Sequence, residues 1–256
     1  MEASMTHYVW QFGLITIIII TLLASNYAEQ QHAQIVVPAI EGDSVLLRTT
    51  RGQVVLIDTG NDAPKLLEFI GSYRRQVQHG TVDTVIITQS GDAWHGALPA
   101  LIMRGVTHII WLPASHTTGM QLCATQPVTC TFATTSDRWH VDGLTLQVAG
   151  THSLWVVWSS GQLLIAHSGL ESFDLPTTTG LTGLIYPWRI EPPLDRYRHA
   201  QVAFVLYSDG MHPKKSARRS MAQRRIGTER LFHEQIDGDV YLTLTNPLRV
   251  ARVIAP

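Results

Sequence analysis

Three side chains of the kinds that bind divalent metals lie at or just beyond the ends of two predicted β-strands. Asp92 and His95 come shortly after an apolar run that ends at Thr88, and His167 ends another such run. Carboxylate and imidazole groups are suitable ligands for zinc or manganese, so one interpretation is a mononuclear site built from Asp92, His95 and His167. The chain contains 12 histidines, however, and a few are expected near any chosen point by chance. The alternative is that each is an ordinary loop or strand-end residue.

A second group that could have a chemical role is the basic segment 214–230. It holds seven basic residues and one acid, which gives a net charge of +6. The whole chain has a formal net charge of −1, which leaves −7 for the remainder. A helix predicted after Pro213 carries six of these cations: Lys214, Lys215, Arg218, Arg219, Arg224 and Arg225. Such a concentration of charge could bind DNA phosphates in a salt-dependent way, or anionic lipid headgroups. A solvated helix face without a partner is the third interpretation.

Two cysteines, Cys123 and Cys130, are too few for a disulfide scaffold or a thiolate zinc site. A small local disulfide between them is feasible if the domain lies outside the cytoplasm. Two unpaired thiols in a loop are the alternative, and the sequence leaves both open.

Composition places the chain among globular proteins. Its 256 residues suffice for one sizeable α/β domain, and 45% of them are hydrophobic while 15% are charged. A buried core is therefore expected, and global disorder is excluded. The net charge of −1 also excludes a protein that is basic over its whole surface.

The elements that must position these side chains follow from short β-branched runs separated by turn residues. The sequence predicts strands at 35–37, 44–49, 54–58, 82–88, 107–112, 144–148, 153–158, 162–167, 184–186, 202–207, 240–245 and 248–254. Helices are predicted at 61–79 and 97–104, the first with an apolar stripe formed by Leu66, Leu67, Ile70 and Tyr73. Residues 169–180 are predicted to form a surface loop. Mostly antiparallel strands with helices between them favour two sheets packed face to face, with helices outside.

The N-terminal segment has the composition of a membrane anchor. No charged residue occurs between Glu2 and Glu29, and an apolar run lies between the interfacial aromatic residues Tyr8 and Tyr27. Residues 8–27 as a helix would measure about 30 Å, close to the hydrocarbon thickness of a bilayer. A cleaved signal peptide and a soluble core segment are the weaker alternatives. The predicted division is therefore 1–28 for the anchor and 29–256 for the domain.

Three segments of the chain resemble the metallo-β-lactamase superfamily and, within it, the extracytoplasmic domain of ComEC-type DNA-uptake (competence) proteins. The first is Glu-Gly-Asp-Ser-Val-Leu-Leu-Arg-Thr at 41–49, followed by Val-Val-Leu-Ile-Asp-Thr-Gly at 54–60. The second is the strand 82–88, which looks like the one that leads into the family's metal loop. The third is Gly-Met-His-Pro at 210–213, similar to a Gly-His-Pro turn of the family. The resemblance implies an α+β, four-layer αββα sandwich.

The resemblance also implies where metal ligands would be expected. In the superfamily, a His-x-[His/Asp]-x-Asp-His loop after this strand holds one or two metals that acidify a bound water. The matching positions here are Gln89, Gly91, Ala93 and Trp94, none of which is a credible ligand in this setting. Further along, Ser168 stands where the family has an aspartate, and Tyr-Pro-Trp-Arg at 186–189 corresponds to its His-His-Gly-Ser turn. Asp58 is retained, and the resemblance implies that it orients the loop without binding metal.

These observations favour a single-pass membrane protein with an extracytoplasmic domain. The domain is expected to resemble a pseudoenzyme and to serve as a binding or accessory module, with segment 214–225 as the part that would bind DNA. The second hypothesis is a metal-dependent hydrolase or nuclease that holds zinc or manganese in a rearranged site at Asp92, His95 and His167. The third is a purely structural membrane-attached domain.

Overall fold

A computed structural model describes residues 14–18, 32–77, 82–166, 180–187, 203–207 and 230–253 of the chain. Most of these residues belong to two β-sheets. The strands are β1 (Gln34–Val37), β2 (Val45–Arg48), β3 (Val54–Ile57), β4 (Thr84–Ile87), β5 (His108–Trp111), β6 (Thr129–Phe132), β7 (Arg138–Val141), β8 (Leu144–Ala149), β9 (Ser153–Trp158), β10 (Gly161–Ala166), β11 (Leu181–Pro187), β12 (Ala203–Tyr207), β13 (Leu231–His233), β14 (Asp239–Thr243) and β15 (Arg249–Val253). The helices are α1 (Ala63–Val77), α2 (Asp92–His95), α3 (Leu98–Ile102), α4 (His116–Cys123) and α5 (Glu234–Asp237), and residues 14–18 are also helical.

The first sheet has eight strands in the order β15-β14-β1-β2-β3-β4-β5-β6. Its pairings are antiparallel from β15 to β3 and parallel from β3 to β6. Parallel neighbours need a crossover connection, and α1 provides it between β3 and β4. The carboxyl ends of β3, β4 and β5 therefore meet at one edge of this sheet.

The second sheet repeats this plan with seven strands in the order β13-β12-β11-β10-β9-β8-β7. Its pairings are antiparallel from β7 to β10 and parallel from β10 to β13. The expectation of mostly antiparallel strands needs correction, because nearly half of the pairings in the described residues are parallel. In the first sheet, helical crossovers force this direction, which the strand pattern alone does not reveal.

The principal core lies between the two sheets, where alternate strand residues of both point inward. Its fully buried members include Ile35, Leu47 and Ile57 from the first sheet and Leu154 and Ile165 from the second. This alternation of inward and outward residues is the pattern of a sandwich with two faces per sheet. The prediction of two sheets packed face to face is confirmed.

A second core covers the outer face of the first sheet. Helix α1 contributes the predicted stripe there, with Leu66, Ile70 and Tyr73 buried and Leu67 partly buried. Asp62 begins this helix by accepting a hydrogen bond from the Lys65 backbone N–H at 3.1 Å, as expected for an N-cap. The described residues thus form three of the four expected layers. The predicted surface loop 169–180 and most of the chain expected to cover the second sheet lie outside the described residues.

The predicted membrane span falls mostly outside the described residues. Within it, residues 14–18 are helical, and Leu14, Ile15, Ile17 and Ile18 are exposed. None of the helices in the described part of the chain is long and apolar enough to cross a bilayer.

Cys123 and Cys130 form a disulfide, with 6.3 Å between their Cα atoms. The bond joins the last residue of α4 to β6, which is the edge strand of the first sheet. The sequence left this pairing open. Both elements were missed as well, because their exposed and polar residues do not form an apolar periodicity.

Candidate functional site

A functional site in this fold is expected at the edge where the parallel strands of the first sheet end. Strands β3, β4 and β5 end at Ile57, Ile87 and Trp111. Ligands of open α/β sheets bind outside the carboxyl ends of such strands. The loop 88–97, which the sequence analysis singled out, leaves β4 at this edge.

Asp58 fixes the start of the loop. Its side chain is fully buried and accepts hydrogen bonds from both the backbone N–H of Thr88, at 2.8 Å, and the Thr88 hydroxyl. Thr88 is fully buried too, so both bonds are shielded from water. Asp58 has a left-handed backbone with φ of 53°, which turns the chain sharply after β3. The orienting contact expected of Asp58 is therefore present.

Backbone hydrogen bonds hold the remainder of the loop against two neighbouring turns. Thr59 N–H donates to the Trp94 carbonyl at 2.7 Å, and Asp43 N–H donates to the Ala93 carbonyl at 2.8 Å. Gly42 lies so close to this loop that a Cβ there would be 2.7 Å from the Ala93 carbonyl oxygen. The loop therefore has a fixed backbone, and the Gly-Asp and Thr-Gly segments that carried the family resemblance are the ones that hold it.

Gly91 and Trp94 occupy two of the four positions at which the family resemblance led us to expect metal ligands. Gly91 has φ of 123° and ψ of 157°, a region of backbone space that only glycine adopts readily. A Cβ on Gly91 would meet the Trp94 ring at 2.8 Å. Trp94 is half-buried, and its indole Nε1 is buried without a hydrogen-bond partner among the described residues. The ring thus lies against the loop backbone in the space that a side chain at 91 would need.

His95 is turned back onto its own loop. Its Nε2 accepts a hydrogen bond from the Gly91 backbone N–H at 3.0 Å, which leaves only Nδ1 for another contact. Its ring makes an edge contact with Trp111, 6.4 Å between centroids, and Trp111 belongs to the core on the helical side of the first sheet. Asp92 is exposed, and His167 lies outside the described residues. Within the described ranges, no three His, Cys, Asp or Glu side chains converge on a point suitable for a metal.

Buried polar atoms without partners lie close to this edge. The Gln89 Oε1 and the His152 Nδ1 are both buried and accept or donate no hydrogen bond in the part of the chain described. Burial lowers the pKa of the His152 imidazole, because desolvation disfavours the imidazolium. His152 is joined to the loop region through its neighbour Thr151, whose carbonyl accepts from the Ala114 N–H at 3.2 Å.

Sequence analysis missed the contacts that brace this loop from the side of β5. Ser90 donates to the Ala114 carbonyl at 3.4 Å and accepts from the Thr118 hydroxyl at 2.9 Å. Small hydroxyl residues in a polar loop give no pattern that would reveal such partners. The basic segment 214–225, the Gly-Met-His-Pro turn, Ser168 and Trp188 lie outside the described residues.

Comparison with solved structures identifies the fold. The metallo-β-lactamase fold protein YhfI from Bacillus subtilis matches with a TM-score of 0.57 and 12% identity, over 78% of this chain and 95% of that one. A motif variant of the metallo-β-lactamase from Cronobacter sakazakii is 22% identical over 74% of this chain and 83% of that one, but its TM-score of 0.43 adds nothing to the assignment.

No protein-family model and no curated protein sequence matches the chain. At 12% identity the likeness to YhfI concerns the backbone architecture and not the chemistry. The chain therefore has the metallo-β-lactamase fold.

Proposed function

We propose that the chain is a membrane-anchored metallo-β-lactamase-fold domain, related to the ComEC type, that has lost its metal centre and serves as a non-catalytic binding module. The observation that carries this proposal is the pairing of Gly91 with Trp94. A glycine-only backbone conformation and an indole ring occupy positions from which metal ligands would have to project.

The donor set of this loop does not fit a divalent metal. Of the four ligand positions, Gly91 and Ala93 have no donor atom, Trp94 has only an N–H donor, and Gln89 is a weak neutral ligand. Losing even a partner outside the coordination sphere typically lowers metal affinity about 10–100-fold, and here the coordinating residues themselves are replaced. Asp58 still accepts both hydrogen bonds from Thr88. The loop therefore keeps its backbone arrangement, although its side chains at the four positions do not suit a metal.

Metal analysis tests this part of the proposal. We expect the full-length chain, incubated with zinc or manganese and then desalted, to retain well below one metal ion per chain by plasma mass spectrometry. Retention of one ion per chain that is lost in His167→Ala but kept in His140→Ala would contradict the proposal. It would favour the alternative, a hydrolase with a rearranged site at Asp92, His95 and His167. His140 is a suitable control because it is an exposed histidine on β7, far along the chain from this loop.

The partner that we propose is DNA, bound through the six cations of segment 214–225: Lys214, Lys215, Arg218, Arg219, Arg224 and Arg225. The charge of this segment, +6 against −7 elsewhere, supports the proposal, since phosphate neutralisation supplies most non-specific affinity for DNA. Anionic lipid headgroups are the competing partner for the same charge.

Replacing Lys214, Lys215, Arg218 and Arg219 by serine tests the DNA partner. We expect affinity for duplex DNA to fall steeply with salt in the wild-type chain, and the slope of log K against log salt to decrease by about 3 to 4 in the variant. Fluorescence anisotropy over a salt series measures both. The matched control replaces four exposed basic residues elsewhere, Arg51, Lys65, Arg104 and Arg138, and should leave the slope near the wild-type value. If the wild-type chain did not bind DNA at low salt, or if both variants lost DNA affinity equally, the DNA proposal would be contradicted. A purely structural domain or a lipid-binding domain would then be favoured.

The anchor and the extracytoplasmic location also belong to the proposal. Exposed apolar side chains at Leu14, Ile15, Ile17 and Ile18, inside the predicted span 8–27, support a segment that lies in lipid. The Cys123–Cys130 disulfide supports an oxidising compartment, because structural disulfides are rare in the cytosol.

A further inference from the structure

The two sheets do not fill the space between them completely. A cavity of about 260 Å³ opens between β3, β4 and β5 of the first sheet and β7 and β8 of the second. Thr84 and His108, which line it, are the first residues of β4 and β5, whereas the loop at Thr88 leaves the opposite ends of these strands. Thr84 and Thr88 are therefore roughly 13 Å apart along the strand. The cavity is distinct from the candidate site, and the inference from it does not depend on the function proposed above.

The wall of the cavity is mostly apolar and includes one large aromatic ring. The apolar side chains that line it are Val55, Ile86, Ile110, Trp139, Val141 and Leu146. Typical small-molecule pockets have volumes of about 300–1,000 Å³, so a cavity slightly below this range suits a compact ligand such as a two-ring aromatic compound. Binding sites with such an apolar body usually have a few polar groups that fix the orientation of the ligand.

The polar side chains of the cavity are Gln53, Asp83, Thr84, His108 and His140. His108 is occupied on both ring nitrogens, with Thr84 Oγ1 at 3.4 Å from Nδ1 and Thr131 Oγ1 at 3.1 Å from Nε2. Asp83 accepts the Val54 N–H on Oδ2 at 2.7 Å, and its Oδ1 accepts no hydrogen bond within the described residues. The lining contains no lysine or arginine, so this carboxylate is its one strong charge.

We propose that this cavity binds a small aromatic amine, with the ring against Trp139 and the strand residues and the ammonium group donating to Asp83 Oδ1. The apolar wall selects a flat hydrophobic body. The carboxylate, exposed at the mouth, selects a cation that remains partly hydrated and so avoids the full penalty of desolvation. No residue of the loop 88–97 takes part.

Three probes that share one ring system test the chemical class. Tryptamine carries the ammonium group, indole lacks it, and indole-3-acetate replaces it with a carboxylate. With the full-length chain, saturation-transfer NMR and calorimetry should show that tryptamine binds about twofold to fivefold more tightly than indole, as expected for one exposed ion pair. Indole-3-acetate should bind more weakly than indole. Absence of tryptamine binding, or tighter binding of indole-3-acetate, would overturn the proposal.

Two variants locate the site. Asp83→Asn keeps the acceptor for the Val54 N–H but removes the charge, and should weaken tryptamine binding about twofold to fivefold while leaving indole binding unchanged. The control Asp92→Asn makes the same change at the opposite edge of the sandwich and should have no effect. Val141→Phe, at a partly buried position of edge strand β7, fills the cavity and should abolish binding of both tryptamine and indole. Far-ultraviolet circular dichroism checks that each variant is folded. Equal affinities in Asp83→Asn and Asp92→Asn, or wild-type binding in Val141→Phe, would refute the assignment.

Discussion

Replacing Asp58 by alanine is expected to lower the free energy of unfolding by about 4 kcal/mol. The carboxylate accepts two buried hydrogen bonds from Thr88, and hydrogen bonds to charged groups contribute about 1.5–3 kcal/mol each. Alanine would leave the Thr88 N–H buried without its acceptor. It would also have to adopt the left-handed backbone at φ of 53°, which costs alanine about 1–2 kcal/mol more than glycine. Urea unfolding of the full-length chain in a mild detergent measures the loss.

Two further variants separate the causes of this loss. Asp58→Asn retains an acceptor for the Thr88 N–H and tolerates the left-handed backbone, so we expect a loss of roughly 1 kcal/mol. Thr88→Val removes the hydroxyl donor alone and should cost about 1–2 kcal/mol. If Asp58→Asn destabilised the protein as much as Asp58→Ala, the stability could not be attributed to the acceptor for the Thr88 N–H and to the tolerance of the left-handed backbone.

Replacing Gly91 by alanine is expected to destabilise the protein by about 3 kcal/mol. The conformation at φ of 123° and ψ of 157° costs a residue with a Cβ about 1–3 kcal/mol. The new Cβ would also lie 2.8 Å from the Trp94 ring, which must move aside at a further cost of about 1 kcal/mol or more. Urea unfolding measures this change in the same way.

A double-mutant cycle with Trp94→Ala separates the backbone strain from the clash. In the Trp94→Ala background the ring is absent, so Gly91→Ala should cost about 1 kcal/mol less than in the wild-type chain. Gly105→Ala is a matched control, because Gly105 also has a positive φ, 96°, but no atom within 4 Å of an added Cβ. Equal costs of Gly91→Ala with and without the Trp94 ring would mean that the ring does not occupy the ligand position. The central argument for a lost metal centre would then fail.

The sequence was a good guide to elements that have a strong local pattern. Helix α1 was predicted with its apolar stripe, and its observed start at the Asp62 cap lies within the predicted range. Strands β2 to β5 were predicted within one or two residues of their bounds, because Val, Leu and Ile runs between turn residues are the signal of buried strands. Strands β6 and β7 were missed because they lie at sheet edges and have only exposed and half-buried side chains.

The identity of the residues at the candidate site was also readable from the sequence. The proposed replacement of ligands at Gln89, Gly91, Ala93 and Trp94 rests only on residue types and on their distance from the strand that ends at Ile87. The direction of each side chain was not readable. His95 was considered as a metal ligand, yet its Nε2 accepts the Gly91 N–H and its ring contacts Trp111. The contact with Trp111 depends on β5, a strand that lies beyond the loop in the chain.

Sequence by itself determined most of the buried strands, helix α1, and the residue types that stand at the end of β4. These properties follow from side chains within a few residues of each other, where periodicity and turn chemistry act. Tertiary structure alone decided the parallel pairing of half the strands, the contact of Trp94 with Gly91, and the cavity between Thr84 and Trp139. The pairing and the cavity depend on segments far apart in the chain, and the contact within the loop depends on a backbone that distant segments hold in place, so no local pattern encodes them.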